Sequence, residues 1–334
     1  MQTIIVALLV FCIVVFIHEL GHFAVAKFVG IKVHEFSIGM GPKLFGKKKN
    51  ETEYSLRAIP LGGYVRMEGE DEESDDEASF GNKPVISRMA VILAGAFMNF
   101  VLAIVVFLIY FMIMGSPIDS NIIGDVLPNE PAQIAGVRPG DEIVRIDGKN
   151  IDDWQDISKT ITEGKNSVDV QVKRGNEIKD LNIDIKEDNG KKIIGIVKQV
   201  DKSFTKAVSS SGMMFKDMIK AMFEFLGRLF TGGVSSSEVS GPVGVIYVVG
   251  EAAKSGFANV LLITGFISVN LGFFNLLPIP ALDGSRFAFL LIEAIRGKKL
   301  DPNKEALVHV FGFILLISIT IFITYKDILK FVIK

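Results

Sequence analysis

Three residues in the segment FIHELGH (residues 16–22) have the types and spacing of a hydrolytic metal site: His18, Glu19 and His22. On a helix, residues four apart lie on one face, so the two imidazoles can hold one tetrahedral Zn²⁺. Glu19 lies about 100° around the helix, where its carboxylate can reach an activated water without ligating the metal. The pattern predicts zinc-dependent hydrolysis. The alternative is a polar helix pair bonded to neighbouring helices.

A catalytic zinc needs a third protein ligand and one open position for water. The best candidate is Asp283, in NLGFFNLLPIPALDGSRF (residues 270–287). Pro278 and Pro280 predict a helix break, and irregular backbone at membrane depth is tolerated only where it lines protein or water. Asp283 just beyond the break can face a metal. Alternatively, it caps a helix that begins near Ser285.

The composition indicates a membrane protein with a water-exposed part. The chain has 334 residues, of which 49% are hydrophobic and 22% charged, and its mean hydropathy is +0.40. A net charge of -2 argues against a nucleic-acid partner. The single cysteine, Cys12, lies in an apolar run, which excludes a disulfide framework within the chain and a thiolate metal cluster.

Apolar runs predict four transmembrane segments, at residues 1–30, 88–114, 257–287 and 306–325. The first run lacks a basic start and a small-residue cleavage site, so we expect a retained span rather than a signal peptide. Lysines and arginines are concentrated in the connectors after the first and third spans, which predicts that both are cytoplasmic. Both termini and the long middle segment are then external.

The connecting segments predict three further regions. Residues 31–87 read as a β-rich, membrane-associated hairpin on the cytoplasmic side with a solvated acidic loop, EGEDEESDDE (68–77). Residues 117–200 alternate like short strands, and PNEPAQIAGVRPGDEIVRIDGKNI (128–151) resembles a bacterial PDZ domain. Residues 204–256 form an amphipathic interfacial segment, with a helix predicted at residues 213–230.

HELGH in a first span, combined with NLLPIPALDG (275–284) in a late one, resembles the site-2 protease family of intramembrane zinc metalloproteases. Further matches are EFSIGMGPKLF (35–45), YSLRAIPLGGYVRM (54–67), SGPVGV (240–245) and the PDZ-like insertion. The resemblance covers essentially the whole chain. The spacing and order of these motifs resemble those of the bacterial members that cleave membrane-anchored anti-sigma factors.

The resemblance implies a role for each matching residue. Asn275, together with Asn99 in AGAFMNF, is expected to hold the substrate backbone or stabilise the oxyanion. The sequence departs from many members at Ser285 and Arg286, which follow the late motif and leave the metal assignment intact. The implied general base is Glu19, and the implied zinc ligands are His18, His22 and Asp283.

A transmembrane substrate must unwind locally before a metal can reach its peptide bonds, because a helix hides its carbonyls in hydrogen bonds. Residues 53–58 predict a strand with an exposed edge that could pair with the unwound substrate, followed by Pro60 and a Gly-Gly turn. The expected substrate-binding residues in that strand are Tyr54, Leu56 and Ala58. The alternative is a hairpin that only plugs the cytoplasmic opening.

We therefore expect an α-helical polytopic membrane protein with four transmembrane helices, a β-rich hairpin and an α+β PDZ-like domain. Its expected activity is that of an intramembrane zinc metalloendopeptidase in a bacterial plasma membrane, acting on single-span proteins of the anti-sigma-factor type. Two alternatives stay open: a protease of signal-peptide remnants or peptide pheromones, and a non-catalytic membrane PDZ scaffold. Glu19 favours catalysis, because a structural zinc site has no use for a base.

Overall fold

The computed structural model describes residues 2–70, 74–188, 190–235 and 239–331, so three residues of the acidic loop, 71–73, lie outside it. The chain forms two compact units, residues 1–110 with 211–334, and residues 111–210. In chain order its elements are α1 (Gln2–Phe28), β1 (Val33–Lys49), β2 (Thr52–Met67), a 3-10 helix (Phe80–Asn82), α2 (Val85–Met114), β3 (Ser116–Pro117), β4 (Ile123–Val126), α3 (Pro131–Ile134), β5 (Glu142–Ile146), β6 (Lys149–Asn150), α4 (Trp154–Glu163), β7 (Ser167–Arg174), β8 (Glu177–Asp184), β9 (Lys186–Asp188), β10 (Lys191–Ile193), β11 (Ile196–Lys198), β12 (Val200–Asp201), α5 (Phe204–Phe230), α6 (Pro242–Lys254), α7 (Phe257–Leu276), α8 (Asp283–Arg296) and α9 (Pro302–Phe331).

Four helices of the first unit are long and apolar enough to cross a membrane, as the sequence predicts: Thr3–Phe28, Val85–Met114, Phe257–Leu276 and Lys304–Lys330. At about 1.5 Å per residue, even 20 residues cover a hydrocarbon core of about 30 Å. The predicted helix break is also confirmed. Helix α7 ends at Leu276, two residues before Pro278, and α8 begins at Asp283.

The hairpin contradicts part of one prediction, the exposed edge at residues 53–58, because residues 53–56 are paired on both sides. Strand β1 bends at Gly39 and Gly41, where φ is +85° and +82°. Its first half and its second half therefore lie on opposite sides of the first half of β2: Tyr54 pairs with both Phe36 and Lys47. Residues 53–56 are consequently an inner strand. The outer segments 43–49 and 63–67 pair on one side only, and Arg57 and Ile59 of β2 also have a single partner each.

A buried carboxylate fastens the base of the hairpin. Glu35 is 5% exposed, and its Oε1 accepts hydrogen bonds from Ser55 Oγ at 2.6 Å and Arg57 Nη2 at 2.8 Å. Burial raises the pKa of Glu35, but these hydrogen bonds outweigh it and lower the pKa to about 2. The carboxylate is therefore ionised at neutral pH and ties β1 to β2.

Helix α5 contains the amphipathic helix predicted at residues 213–230. The helix begins earlier, at Phe204, and its apolar side packs on two spans. The ring centroid of Phe215 lies 5.5 Å from that of Phe100, in the middle of α2, and Phe223 lies 5.1 Å from Phe273 of α7. Part of the apolar face is thus packed on the two spans, whereas Phe223 itself is 61% exposed, and the interfacial position of the segment stays a prediction.

The second unit, residues 111–210, is built of short strands around one apolar core. A four-stranded sheet has the order β6-β5-β7-β8, and β4 pairs with β11. Isoleucines and valines from these strands and from α4 fill the core. Asp141 is buried and fixes the RPGD turn at residues 138–141. Its carboxylate accepts hydrogen bonds from Arg174 Nε at 2.7 Å and from the Arg138 backbone amide at 2.9 Å. This unit corresponds to the predicted PDZ-like domain.

Candidate metal centre

The structure brings His18, His22 and Asp283 together from distant parts of the sequence. Helix α1 supplies both imidazoles, and Asp283 is the first residue of α8. His18 Nε2 lies 3.1 Å and His22 Nε2 3.3 Å from Asp283 Oδ2, and the two imidazole nitrogens are 3.2 Å apart. Three potential ligand atoms therefore face one point between α1 and α8.

This triangle has the dimensions of a zinc site. Tetrahedral ligands that bind zinc at about 2.0–2.1 Å lie about 3.3 Å from one another, close to the three distances observed. Asp283 Oδ2 is buried and receives no hydrogen bond from the described residues, so it is available to a cation. A Cβ atom at Gly95 of α2 would lie 2.3 Å from His22 Nε2, so glycine keeps this side of the centre open.

Both imidazoles are held through Nδ1, which turns Nε2 towards Asp283. His22 Nδ1 lies 2.8 Å from the carbonyl oxygen of Val91 and donates its proton to it. His18 Nδ1 lies 3.1 Å from Nδ2 of Asn99, and the buried Oδ1 of Asn99 has no partner among the described residues. When that amide is oriented with Oδ1 towards the ring, Oδ1 accepts the Nδ1 proton and leaves the Nε2 lone pair for a metal.

Asn99 therefore has a different place from the one the resemblance suggests. It is fully buried, its amide contacts His18, and its backbone carbonyl accepts a hydrogen bond from Ser268 Oγ at 2.8 Å. The contacts of Asn99 are thus with α1 and α7, and its predicted role toward substrate stays a prediction. Asn275 is buried in the last turn of α7, and no hydrogen bond joins it to the three ligand candidates within the described part of the chain.

Glu19 lies outside the triangle but beside it. Only His18, His22 and Asp283 come close enough together to share a cation among the described residues. Glu19 instead contacts β2: a Cβ atom at Gly63 would lie 3.2 Å from Glu19 Cγ. The one-sided strand edge at residues 63–67 thus begins next to the carboxylate, whereas the inner strand carries Tyr54 and Leu56.

The predicted substrate contacts in that inner strand need revision. Tyr54 and Leu56 are each paired to neighbours on both sides, so their amides have no room for a substrate strand. The Tyr54 ring packs near Phe23 and Phe36, with centroids 5.9 and 6.3 Å away. Ala58 is exposed and lies beyond the doubly paired residues 53–56, so its assignment as a substrate contact stays a prediction. Edge pairing is available at residues 63–67 instead.

Asp283 does not cap α8, which removes the alternative reading of this residue. The N-cap is Leu282, and no side chain caps the helix. Farther along α8, Glu293 forms a buried, two-pronged ion pair with Arg88 of α2, with nitrogen to oxygen distances of 3.0 and 2.5 Å. This pair fixes α8 against α2 and was missed from the sequence, where it is separated by more than 200 residues.

Two histidines on a helix that is long and apolar enough to cross a membrane, an aspartate at the start of α8 and a glutamate alongside form the donor set of a metallohydrolase. The sequence agrees: residues 6–319 match peptidase family M50. The chain belongs to this family and is a zinc metalloprotease.

Several relatives resemble the chain over its whole length. A protein from Clostridium acetobutylicum is 40% identical over 330 residues, which cover 97% of each chain. The regulator of sigma-W protease RasP from Bacillus subtilis is 33% identical over 414 aligned positions, which cover 98% of each. Among solved structures, the PDZ domain of an SdrC-like protein from Listeria innocua matches 25% of this chain and 97% of its own, with 27% identity and a TM-score of 0.23.

Proposed function

We propose that this zinc metalloprotease cleaves the transmembrane segments of single-span membrane proteins. The depth of the centre carries the proposal. His18 lies 10 residues, or about 15 Å, before the end of its span at Phe28, and Gly95 lies 10 residues after the start of its span at Val85. Both positions are about half of a 30 Å hydrocarbon core from the nearer end. A site at that depth suits a peptide bond that is itself in the membrane.

The residues that would hold a zinc ion are His18, His22 and Asp283. When bound, zinc would supply the positive charge that polarises a scissile carbonyl and makes water more acidic. Glu19 is the residue we assign to take a proton from the attacking water and return it to the leaving amine. Asn99 and the Val91 carbonyl hold the imidazoles in the tautomer that presents Nε2. We keep Asn275 as the candidate for oxyanion or substrate contact, since it ends the helix that leads to Asp283.

The one-sided edge at residues 63–67 is our candidate for presenting the substrate. When a helical segment unwinds in the membrane, each backbone group that loses its hydrogen bond costs several kcal/mol. A free strand edge can supply the missing hydrogen-bond partners. This edge starts at Gly63, in contact with Glu19. A substrate strand added there would run past the catalytic carboxylate, so substrates with helix-destabilising residues should be cut faster.

Proline substitutions on this edge are expected to slow cleavage without removing zinc. Backbone N–H groups point alternately to the two sides of a strand, so that of either Tyr64 or Val65 points to the unpaired side. One of the variants Tyr64→Pro and Val65→Pro therefore removes a donor from that side. Loss of one hydrogen bond of about 1 kcal/mol slows cleavage about 3- to 10-fold. Lys47→Pro and Lys48→Pro on the opposite edge are the matched controls. Equal rates for all four variants, with zinc content unchanged, would refute substrate pairing at residues 63–67.

The substrate class is proposed from the relatives. The Bacillus subtilis protein is named for regulation of a sigma factor, and it matches this chain from end to end. We infer that the substrates include single-span anti-sigma factors. Membrane proteomes of cells that carry wild-type protein or Glu19→Gln test this: single-span fragments should accumulate in the variant. Identical fragment patterns in both strains would contradict it.

We also propose that the protein is a multi-pass protein of the bacterial plasma membrane, with both basic connectors in the cytoplasm. Tags near Lys48 and Lys298 are expected to be protected in intact cells, and a tag near Asp152 to be accessible, because basic loops remain cytoplasmic. Impermeant labelling before and after cell lysis measures this. Labelling of Lys48 but not of Asp152 in intact cells would reverse the orientation.

A further inference from the structure

The last helix, α9, contacts the turn that carries the aspartate of the metal centre. His309 Nδ1 accepts a hydrogen bond from the backbone amide of Ala281 at 3.2 Å. The same imidazole packs edge-on against Phe289 of α8, with ring centroids 5.7 Å apart. His309 therefore touches both the turn before Asp283 and the helix that begins with Asp283.

One turn further along α9, Gly312 lies against the same loop. A Cβ atom at Gly312 would be 2.1 Å from Cβ of Pro280 and 2.8 Å from its carbonyl carbon and oxygen. Residues three apart lie on one face of a helix, so His309 and Gly312 form a single contact surface. Only glycine lets α9 approach the loop this closely.

The loop needs such support at Ala281. Its φ is +73°, in the left-handed region that is unfavourable for a residue with a Cβ atom and persists only where the surroundings hold it. Ala281 precedes Asp283 by two residues, so a change in its backbone would redirect the Asp283 carboxylate. The hydrogen bond from its amide to His309 and the packing of Pro280 on Gly312 constrain the residue on both sides.

We propose that His309 and Gly312 are positioning residues that hold the Pro280–Ala281 turn so that Asp283 faces His18 and His22. The role rests on the assignment of Asp283 as a zinc ligand. Neither residue touches the ligand atoms, so their effect is on the geometry of the site and hence on metal affinity. His309 contributes the hydrogen-bond acceptor Nδ1, and Gly312 contributes the space that a side chain would otherwise fill.

Zinc affinity of the full-length protein in detergent, measured by competition with a chelator, tests the proposal. Loss of a partner that orients a ligand typically weakens metal binding about 10- to 100-fold, and we expect this from His309→Leu and from Gly312→Ala. His309→Asn should stay near wild type, because Oδ1 can accept the Ala281 proton where Nδ1 does. Phe311→Leu, at a neighbouring position that is 71% exposed, is the matched control. The visible spectrum of the Co²⁺-loaded variants reports the ligand geometry independently of affinity.

Wild-type affinity and spectrum in both His309→Leu and Gly312→Ala would overturn the proposal. An Asn variant as weak as the Leu variant would refute the acceptor role of His309. If His309→Leu does not fold, the comparison of Gly312→Ala with Phe311→Leu decides the question. Asp283→Ala in the same titration distinguishes failure of the ligand assignment from failure of the positioning role. If Asp283→Ala keeps wild-type zinc affinity, Asp283 is not a ligand. If Asp283→Ala loses zinc affinity but the His309 and Gly312 variants do not, only the positioning role is refuted.

Discussion

Replacing Glu19 by glutamine is expected to abolish cleavage while zinc binding stays at the wild-type level. The carboxylate stands beside the three ligand candidates and is not one of them, so the metal does not depend on it. Glutamine has nearly the same shape but cannot take a proton from water. Positioned general acid and base groups contribute about 10²- to 10⁴-fold, and we expect a rate loss in that range. Zinc analysis and a cleavage assay on the same preparation measure both quantities.

The control for this variant is Glu251→Gln, which removes an exposed carboxylate that pairs with Lys254 on α6. It should leave both zinc content and rate unchanged. Normal cleavage by Glu19→Gln would contradict the assigned mechanism. Loss of zinc from Glu19→Gln would show instead that the carboxylate is a ligand.

Asp283→Ala is expected to lose most of its bound zinc. Structural zinc sites with four ligands bind with about 10–16 kcal/mol, so one ligand is worth about 3–4 kcal/mol, or roughly 100- to 1000-fold in affinity. The loss should be as large for His22→Ala, since both residues contribute one atom to the same triangle. Equilibrium dialysis against buffered zinc gives the affinities directly.

Thermal unfolding in the presence and absence of zinc provides the control for this result. Wild-type protein should be stabilised by zinc, and the ligand variants should unfold at one temperature in both conditions. Asp327→Asn is the matched variant and should retain zinc. Asp327 is a buried carboxylate of α9, far along the chain from the centre, and it accepts a hydrogen bond from the Gly244 amide. Retention of full zinc affinity by Asp283→Ala would remove this residue from the centre.

Features with a local sequence signal were predictable. The two histidines of α1 are four residues apart, so one helix is enough to place them together. The four spans follow from apolar length, and the end of α7 follows from Pro278. Asp283 was found because a polar residue directly after a broken span has few other uses, although only the fold brings it to 3.1 Å from His18.

Features set by long-range packing were not predictable. The sequence of β2 predicts a strand but not its neighbours, and the bend of β1 at Gly39 decides that residues 53–56 are paired on both sides. Asn99 has an ordinary place in an apolar run, and only the approach of α2 to α1 puts it on His18. The role of His309 has no local sequence signal either, because its hydrogen-bond partner, the Ala281 amide, is 28 residues away.

The position of the cut in a transmembrane substrate tests the central claim most directly. Purified protein and a single-span substrate are placed together in lipid vesicles, and the products are sequenced by mass spectrometry with zinc present, after chelation and after zinc is restored. We predict a scissile bond inside the apolar span, no cleavage after chelation and full recovery with zinc. A cut confined to the water-exposed flanks, or cleavage that persists without zinc, would contradict an intramembrane zinc protease.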